Sequence, residues 1–349
     1  MTTAEREAIL MIPKTMKALQ IQAYDGRLQL VEKPVPQPGA GQVLVRMAAS
    51  PVNPSDLKFI MGVYGVKKPL PVVAGFEGSG VVVAAGPGLM GKFLKGKRVA
   101  CAARNEGDGA WAEYMLADAR RCIPLKKSVT LEQGATMIVN PWTAWALLAT
   151  ARRGGHRAAI HTAAASALGR MILRLSLRLE YPVIHIVRRS AQAEMLRGMG
   201  ARQVLDSTEA GFDERLRDMG RLLGATIAFD PVAGEMTGRV LAAMPHGAKA
   251  LVYGSLSDAA CTVRPEQLIY EGKTVEGFWT PVWVARLSLL GRVRVAMGVQ
   301  KLLEGDLRTE IRARVPLDKA VEAIEAYRHD MTGGKTLLAP GGLEALQGD

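Results

Sequence analysis

Ala158-Ala159-Ile160-His161-Thr162, followed by Ala163-Ala164-Ala165-Ser166-Ala167-Leu168-Gly169, is the stretch on which the fold turns. The first five residues form a short, largely apolar run suited to a buried parallel strand. The next seven are small and let a backbone come close to a ligand. Met171, Ile172, Leu175 and Leu179 then recur at helical spacing to about Glu180, and Pro182-Val183-Ile184-His185-Ile186-Val187 supplies a second strand that ends at Arg188-Arg189. Strand, small-residue turn, helix and strand make a dinucleotide-binding unit. Its pyrophosphate sits on the helix N-terminus, where free amides and the helix dipole favour an anion. Only Gly169 survives of a GxGxxG pattern, so the turn alone fits an ordinary strand-to-helix connection equally well. The end of the second strand tips the balance. Gly169 and Arg188 are 188 − 169 = 19 residues apart, close to the roughly 20 at which this fold reads the ribose. An acidic residue there would accept from a 2′-hydroxyl, whereas two arginines suit a 2′-phosphate, which favours NADP(H) over NAD(H). Ala165, Ser166, Leu168, Gly169, Arg188 and Arg189 are the expected cofactor contacts of this unit.

Outward from this unit, strand and helix alternate. Helices are expected at Ala191 to Met199, Phe212 to Leu223 and Met236 to Met244, with strands at Gln203 to Leu205, Thr226 to Asp230, Lys249 to Tyr253 and Thr274 to Trp279. Such alternation implies a doubly wound parallel sheet covered by helices on both faces. Tyr253 and Gly254 follow a strand, at the end where such sheets bind ligands, and join the expected contacts. His161, inside the first strand, reads as a satisfied core histidine. Val284 to Leu303 reads as one long helical stretch. Before Leu131 the chain is strand-rich, with Val72 to Gly86 dense in valine and glycine, as bulged strands of a small, partly open barrel would be. Gly109 to Met115 is read as a further strand. The tail, with a strand near Ile311 to Val315 and another at Lys335 to Leu338, is too short to fold alone and is expected to rejoin the N-terminal region. The expected division is a discontinuous catalytic domain, 1–130 with 286–349, interrupted by a cofactor domain, 131–285.

Composition narrows the function classes. The formal charge of +12 (45 − 33) raises nucleic acid, membrane surface and anionic substrates as partners. The basic residues are scattered as singles and pairs without an aromatic-laced motif, so a basic solvated surface is expected and nucleic acid is not. Cys101, Cys122 and Cys261 are odd in number and far apart, which argues against a disulfide framework or a CxxC site and fits a reducing cytoplasm. Met1 to Lys17 carries Glu5 and Glu7 and lacks a long apolar core, unlike a targeting peptide. No apolar run approaches the roughly 18 residues of a span, so no membrane partner is expected.

Asn53-Pro54-Ser55-Asp56, Pro71 to Gly78, Gly109 to Tyr114, Asn140-Pro141-Trp142-Thr143-Ala144, Ala163 to Gly169 and Gly277-Phe278-Trp279 together resemble the medium-chain dehydrogenase/reductase superfamily. The match is to its zinc-independent quinone oxidoreductase and enoyl-thioester reductase branch. The resemblance covers nearly the whole chain after Met16. It implies a GroES-like barrel domain plus a Rossmann domain, NADPH in the cleft, a small-molecule substrate and often a homodimer joined through the outer Rossmann strands. It adds Asn53, Thr143, Phe278 and Trp279 to the expected cofactor contacts, although for Asn53 an Asn-Pro turn is also an adequate explanation. Where zinc members carry Cys and His, this chain has Asn53 and Phe76, neither of them a ligand that zinc prefers. The cysteine cluster of the structural zinc lobe is missing too, so no metal is expected. The implied activity is NADPH-dependent reduction of a quinone or an electron-poor conjugated C=C. The alternatives are a trans-2-enoyl-thioester reductase and a non-catalytic NADPH-binding protein. Tyr64 matches a tyrosine thought to donate a proton in enoyl-thioester reductases; a donor and a cleft-lining residue both remain open. Lys335 reads as an exposed hairpin lysine, with a cofactor phosphate as its other possible partner.

Overall fold

The structure is a computed structural model that describes residues 12–329, 331 and 333–346. The reading of the first residues as free of a targeting peptide therefore lies mostly outside the described residues. The chain forms two compact units, Met1–Val139 with Thr309–Asp349, and Asn140–Arg308.

The first unit holds β1 (Thr15–Ile21), β2 (Gln29–Pro34), β3 (Gln42–Pro51), β4 (Val72–Val73), β5 (Glu77–Ala85), β6 (Arg98–Ala102), β7 (Tyr114–Asp118) and β8 (Cys122–Pro124). The second holds β9 (Ala158–His161), β10 (Val183–Val187), β11 (Val204–Asp206), β12 (Ala225–Asp230), β13 (Lys249–Val252) and β14 (Thr274–Gly277). The chain then returns to the first with β15 (Ile311–Pro316) and β16 (Lys335–Ala339).

In the first unit β2-β1-β4 form one sheet and β15-β16-β3-β5-β6-β8 another, with β7 also paired to β3. β3 is the longest strand and is irregular against β5, with register shifts at Leu44/Val45 and Met47/Ala49. Gly80 is what this irregularity requires: a Cβ there would lie 2.0 Å from the Arg46 carbonyl oxygen. The valine-and-glycine stretch thus forms bulged, closely approaching strands, as its composition implies. The tail rejoins the unit, because β16 pairs antiparallel with β3 through Leu337 opposite Pro51 and Leu338 opposite Ser50. Gly109 to Glu113 departs from expectation and is not a strand. Its backbone is tied to several elements at once, Gly109 N–H to Val73, Trp111 N–H to Ala74 and Leu19 N–H to the Trp111 carbonyl. Trp111 is fully buried and donates from Nε1 to the Pro51 carbonyl at 3.2 Å, so packing of this ring displaces the regular ladder.

The second unit is one six-stranded sheet, β11-β10-β9-β12-β13-β14, parallel at every pairing. This is the doubly wound order, with the chain reversing direction across the sheet between β9 and β12, where such folds bind ligands at the strand C-termini. The expected long helix at Val284 to Leu303 is two, Thr280–Ala285 and Leu289–Leu302. Ser288 caps the second, its Oγ accepting from Gly291 N–H at 3.1 Å, and a capping serine favours a new helix start over continuation. The units divide at Val139/Asn140 and Arg308/Thr309, both later than the expected 130/131 and 285/286. Helix Leu131–Ala135 packs on β3, β5 and β6, and helix Leu289–Leu302 packs on helix Asn140–Arg153.

Two buried histidines lie side by side in this sheet, His185 on β10 in register with His161 on β9. His161 Nε2 is 2.9 Å from the Tyr253 hydroxyl, whereas among the described residues Nδ1 of neither ring has a hydrogen-bond partner. His161 is a core histidine, as expected, but only half satisfied. Burial lowers both imidazoles, His185 to about 4. In the unfolded chain His185 takes up a proton near the ordinary imidazole value of 6.5, so its contribution is complete above that pH and declines as pH falls toward about 4. Between pH 7.5 and 5 His185 is expected to remove about 2 kcal/mol of stability. Urea unfolding at the two pH values checks this, because His185→Phe should lose correspondingly less; an unchanged pH dependence in that variant would assign the effect to other groups.

Candidate functional site

In the second unit the expected cofactor contacts gather at the C-terminal edge of the sheet. Leaving β9, Thr162 donates its hydroxyl to Asp230 Oδ1 at 2.6 Å, and Asp230 Oδ2 accepts from the Thr237 hydroxyl at 2.6 Å. Asp230 Oδ1 also accepts from Val232 N–H at 2.9 Å. This buried carboxylate, with its oxygens engaged, fixes where the turn begins. Ala163 has a left-handed backbone, φ 48°, uncommon for a residue with a Cβ. Ser166 caps helix Ala167–Arg178, its Oγ accepting from Gly169 N–H at 3.1 Å. A Cβ on Gly169 would stand 2.3 Å from the Ala164 carbonyl oxygen. The one glycine kept is therefore the one that lets the helix pack against its own turn, and the turn tolerates alanine at the other positions.

Arg188 and Arg189 are exposed at the end of β10, and among the described residues neither guanidinium forms an ion pair. Tyr253 follows β13, but its hydroxyl turns inward to His161, and burial raises its pKa well above the usual value. That phenol is committed to the core, leaving the Tyr253 backbone and Gly254 at the sheet edge. Phe278 is half-buried with its N–H on the Val252 carbonyl at 2.8 Å, and Trp279 begins helix Thr280–Ala285. The Thr143 hydroxyl lies 2.7 Å from that of Thr280, joining the first turns of two helices. Small residues at Ala165 and Ser166, the first-turn amides that an α-helix leaves unsatisfied, and two unpaired guanidinium groups fit a pyrophosphate and a 2′-phosphate.

The first unit contains a cluster that sequence reading largely missed. Asn53 is buried. Its side-chain N–H donates to Glu77 Oε1 at 2.9 Å, and its Oδ1 accepts from Lys335 Nζ. Glu77 Oε2 accepts from the Ile138 and Val139 amides, each at 2.9 Å. Asp56 Oδ2 accepts from Asn53 N–H at 2.8 Å and Oδ1 from Phe76 N–H at 2.9 Å. Lys335 is not the exposed hairpin lysine expected. It is 2 % exposed, and its Nζ also donates to the Val52 carbonyl at 3.1 Å. Its place on β16, next to the end of β3, carries it inward. Burial pushes the Asp56 carboxyl up to about 7, with Glu77 adding to the rise and the amides and Lys335 opposing it. Burial raises Glu77 as well. Tyr64 is half-buried, its ring 4.9 Å from that of Phe76 at a tilt of 40°, so the Asp56–Phe76 bond sets the surface on which Tyr64 rests. The visible signal for this cluster was Asp56 three residues after Asn53, its carboxylate accepting from the Asn53 amide; nothing local announced Glu77 or Lys335 as their partners. Asn53 has both ends of its amide engaged here. Among the described residues no group of three His, Cys, Asp or Glu side chains converges on a metal-sized space.

Two family models match the chain, "Alcohol dehydrogenase GroES-like domain" over residues 39–127 and "Zinc-binding dehydrogenase" over 167–288. A mitochondrial enoyl-[acyl-carrier-protein] reductase of Caenorhabditis elegans is 30% identical over 307 residues, 85% of each chain. The chain belongs to the medium-chain dehydrogenase/reductase superfamily. Among solved structures of this superfamily, a candidate NADPH:quinone reductase of Mesorhizobium loti is 35% identical with a TM-score of 0.88, over 95% of this chain and 100% of that one. A mycobacterial protein solved in complex with NADPH is 26% identical with a TM-score of 0.79, over 93% and 100%. The partly open barrel and the parallel sheet are thus the GroES-like and Rossmann parts of a medium-chain dehydrogenase/reductase.

Removing the Lys335 cation would leave Asp56 and Glu77 buried without it. Lys335→Met is expected to destabilise the protein by about 3–5 kcal/mol, measured by urea denaturation, with little change in NADPH affinity at temperatures where the variant is folded. Weakened NADPH binding without loss of stability would instead place this amine on a cofactor phosphate.

Proposed function

We propose that the protein is an NADPH-dependent reductase that delivers hydride, without a metal, to a quinone or an electron-poor conjugated C=C. The observation that carries the reading is the exposed, unpaired Arg188-Arg189 pair at the end of β10, where this fold reads the ribose. Bound NADPH would supply the hydride. Ser166, Gly169 and the small residues around them would hold the pyrophosphate, and Arg188 and Arg189 the 2′-phosphate. The Tyr253 backbone with Gly254, Phe278, Trp279 and Thr143 would border the remaining cofactor, and Asn53 would shape the substrate side chiefly through Glu77 and Lys335.

The substrate class follows from what the chain offers to developing charge. Asn53 and Phe76 stand where zinc-dependent members of the superfamily carry ligands, and both Glu77 oxygens accept protein hydrogen bonds. Reduction of an isolated carbonyl concentrates charge on one oxygen and is normally helped by a Lewis acid. Addition to a quinone or conjugated alkene spreads that charge, so hydrogen bonds suffice. Tyr64 is assigned the role of donor to the enolate or its oxygen; a phenol with an unperturbed pKa of about 10 is protonated at neutral pH. The second reading, a trans-2-enoyl-thioester reductase, is favoured by the enoyl-[acyl-carrier-protein] reductases among the relatives.

We also read the molecule as a cytoplasmic homodimer. The free thiols of Cys101, Cys122 and Cys261 suit a reducing compartment. Among the described residues β14 has a sheet neighbour only in β13, leaving an edge for a second copy, so a particle of two chains is expected in solution.

Cofactor choice is tested by titrating NADPH and NADH side by side. Each charge-assisted hydrogen bond to phosphate contributes roughly 1.5–3 kcal/mol, so NADPH should bind at least about tenfold more tightly. An Arg188→Ala, Arg189→Ala double variant should lose that preference; equal affinities in the parent protein would refute the assignment.

The role of Tyr64 is separable from its packing, because Tyr64→Phe keeps the ring against Phe76 and removes only the hydroxyl. With an enoyl substrate, turnover should fall about 10²–10⁴-fold. A quinone should lose much less, since its reduced oxygens are readily protonated by solvent. A loss below about threefold with the enoyl substrate, with chemistry shown to be rate-limiting, makes Tyr64 a lining residue.

A further inference from the structure

Helix Leu89–Leu94 buries Gly91 and Leu94 and turns the rest of its surface outward. Leu89 is 87 %, Phe93 59 % and Met90 50 % exposed. Three large apolar side chains within little more than one turn are unusual on a water-facing helix, where isolated exposed apolar residues are the norm. Their surroundings are rich in cations. Residues 86–103 contain Lys92, Lys95, Lys97 and Arg98, and residues 119–131 contain Arg120, Arg121, Lys126 and Lys127, with no acidic residue in either stretch. Asp118, beside the second, pairs with Arg104 and Arg121, which leaves Lys92, Lys95, Lys97, Arg120, Lys126 and Lys127 as the cations of this face. The fold brings the two together. The helix packs on the turn Ala119–Arg121, β6 pairs with β8, and the Arg98 guanidinium donates to the carbonyls of Lys126 and Val129 at 3.1 and 2.5 Å. Lys97 Nζ lies over the Phe93 ring at 3.0 Å from its centroid, so the charged head rides on the apolar body.

We propose that this face docks on an anionic phospholipid surface, Leu89, Met90 and Phe93 entering the headgroup boundary while the surrounding lysines meet the phosphates. No helix of the described residues is long and apolar enough to cross a membrane; a face that lies on the interface needs none, because its binding sums apolar burial and attraction to anionic lipid. Nucleic acid would use the cations alone and leave the apolar cluster in water. A second copy would set one basic face against another. Lipid engages both parts of the surface, which is why it is the occupant chosen. The proposal is independent of the reaction assigned above.

Co-sedimentation of the full chain with vesicles of phosphatidylcholine, with and without phosphatidylglycerol, tests it. Binding should require phosphatidylglycerol and weaken with salt. Leu89→Ser with Phe93→Ser, and separately Lys92→Glu with Lys95→Glu, should each lower affinity at least about tenfold. All four side chains are exposed, so fold is expected to persist, and unchanged urea unfolding verifies it. No binding of the parent protein to phosphatidylglycerol vesicles overturns the proposal. So does undiminished binding by the Leu89→Ser, Phe93→Ser variant; if both proteins then also bind a short DNA duplex, the face is a general polyanion surface.

Discussion

The first unit depends on one buried cation. Lys335, on the last strand, places its ammonium beside the Val52 carbonyl and Asn53 Oδ1 at the end of β3, joining residues separated in sequence by most of the chain. Burying an ammonium or a carboxylate alone is strongly unfavourable, and the opposition is met only when charges and hydrogen bonds are arranged together. Here the Asn53 amide mediates, accepting from Lys335 and donating to Glu77, while the free oxygen of Glu77 takes the Ile138 and Val139 amides. The tail, the Asn53 turn, β5 and the last residues before Asn140 are consequently held at one point. That is the physical reason the short tail belongs to the barrel.

The second unit solves a similar problem with a carboxylate and no cation. Asp230 gathers the hydroxyls of Thr162 and Thr237 and the amides after β12, so the ends of two neighbouring strands are tied where the sheet reverses order. The turn into helix Ala167–Arg178 starts from this fixed point, and Ala163 adopts its left-handed backbone directly after it. Strained backbone of this kind persists where surrounding bonds over-determine it. Alanine-for-glycine replacement in the turn is then tolerable, provided Gly169 leaves room for the Ala164 carbonyl.

What the sequence disclosed follows the range of the interactions. The parallel sheet was legible because apolar runs alternating with helical spacing are local patterns. The Gly109 to Glu113 segment was not, since alternation suggests a strand while the packing of Trp111 decides otherwise. Lys335 shows the limit most clearly: a lysine after two glycines reads as solvated, and only the pairing of β16 with β3 turns it inward. Glu77 likewise acquires its meaning from Asn53, Ile138 and Val139, all distant in sequence. Half of the histidine reading failed for the opposite reason, because a core position promises satisfied nitrogens and the apolar sheet offers none to either Nδ1.

These commitments also limit the chemistry available. In the barrel, Glu77 has both oxygens occupied by Asn53 and backbone amides, and the preceding residue, Phe76, contributes an apolar ring. That ring has a use of its own. Asp56 holds its backbone, and the Tyr64 ring packs on it at a tilt, so the phenol rests on a hydrogen-bonded scaffold. In the proposed reaction a phenol held there would meet charge that is already delocalised, as in an enolate or semireduced quinone ring, but would be a weak substitute for a Lewis acid against an isolated carbonyl. The buried network therefore does more than stabilise the barrel; under the proposed function it would favour substrates whose own conjugation carries most of the charge.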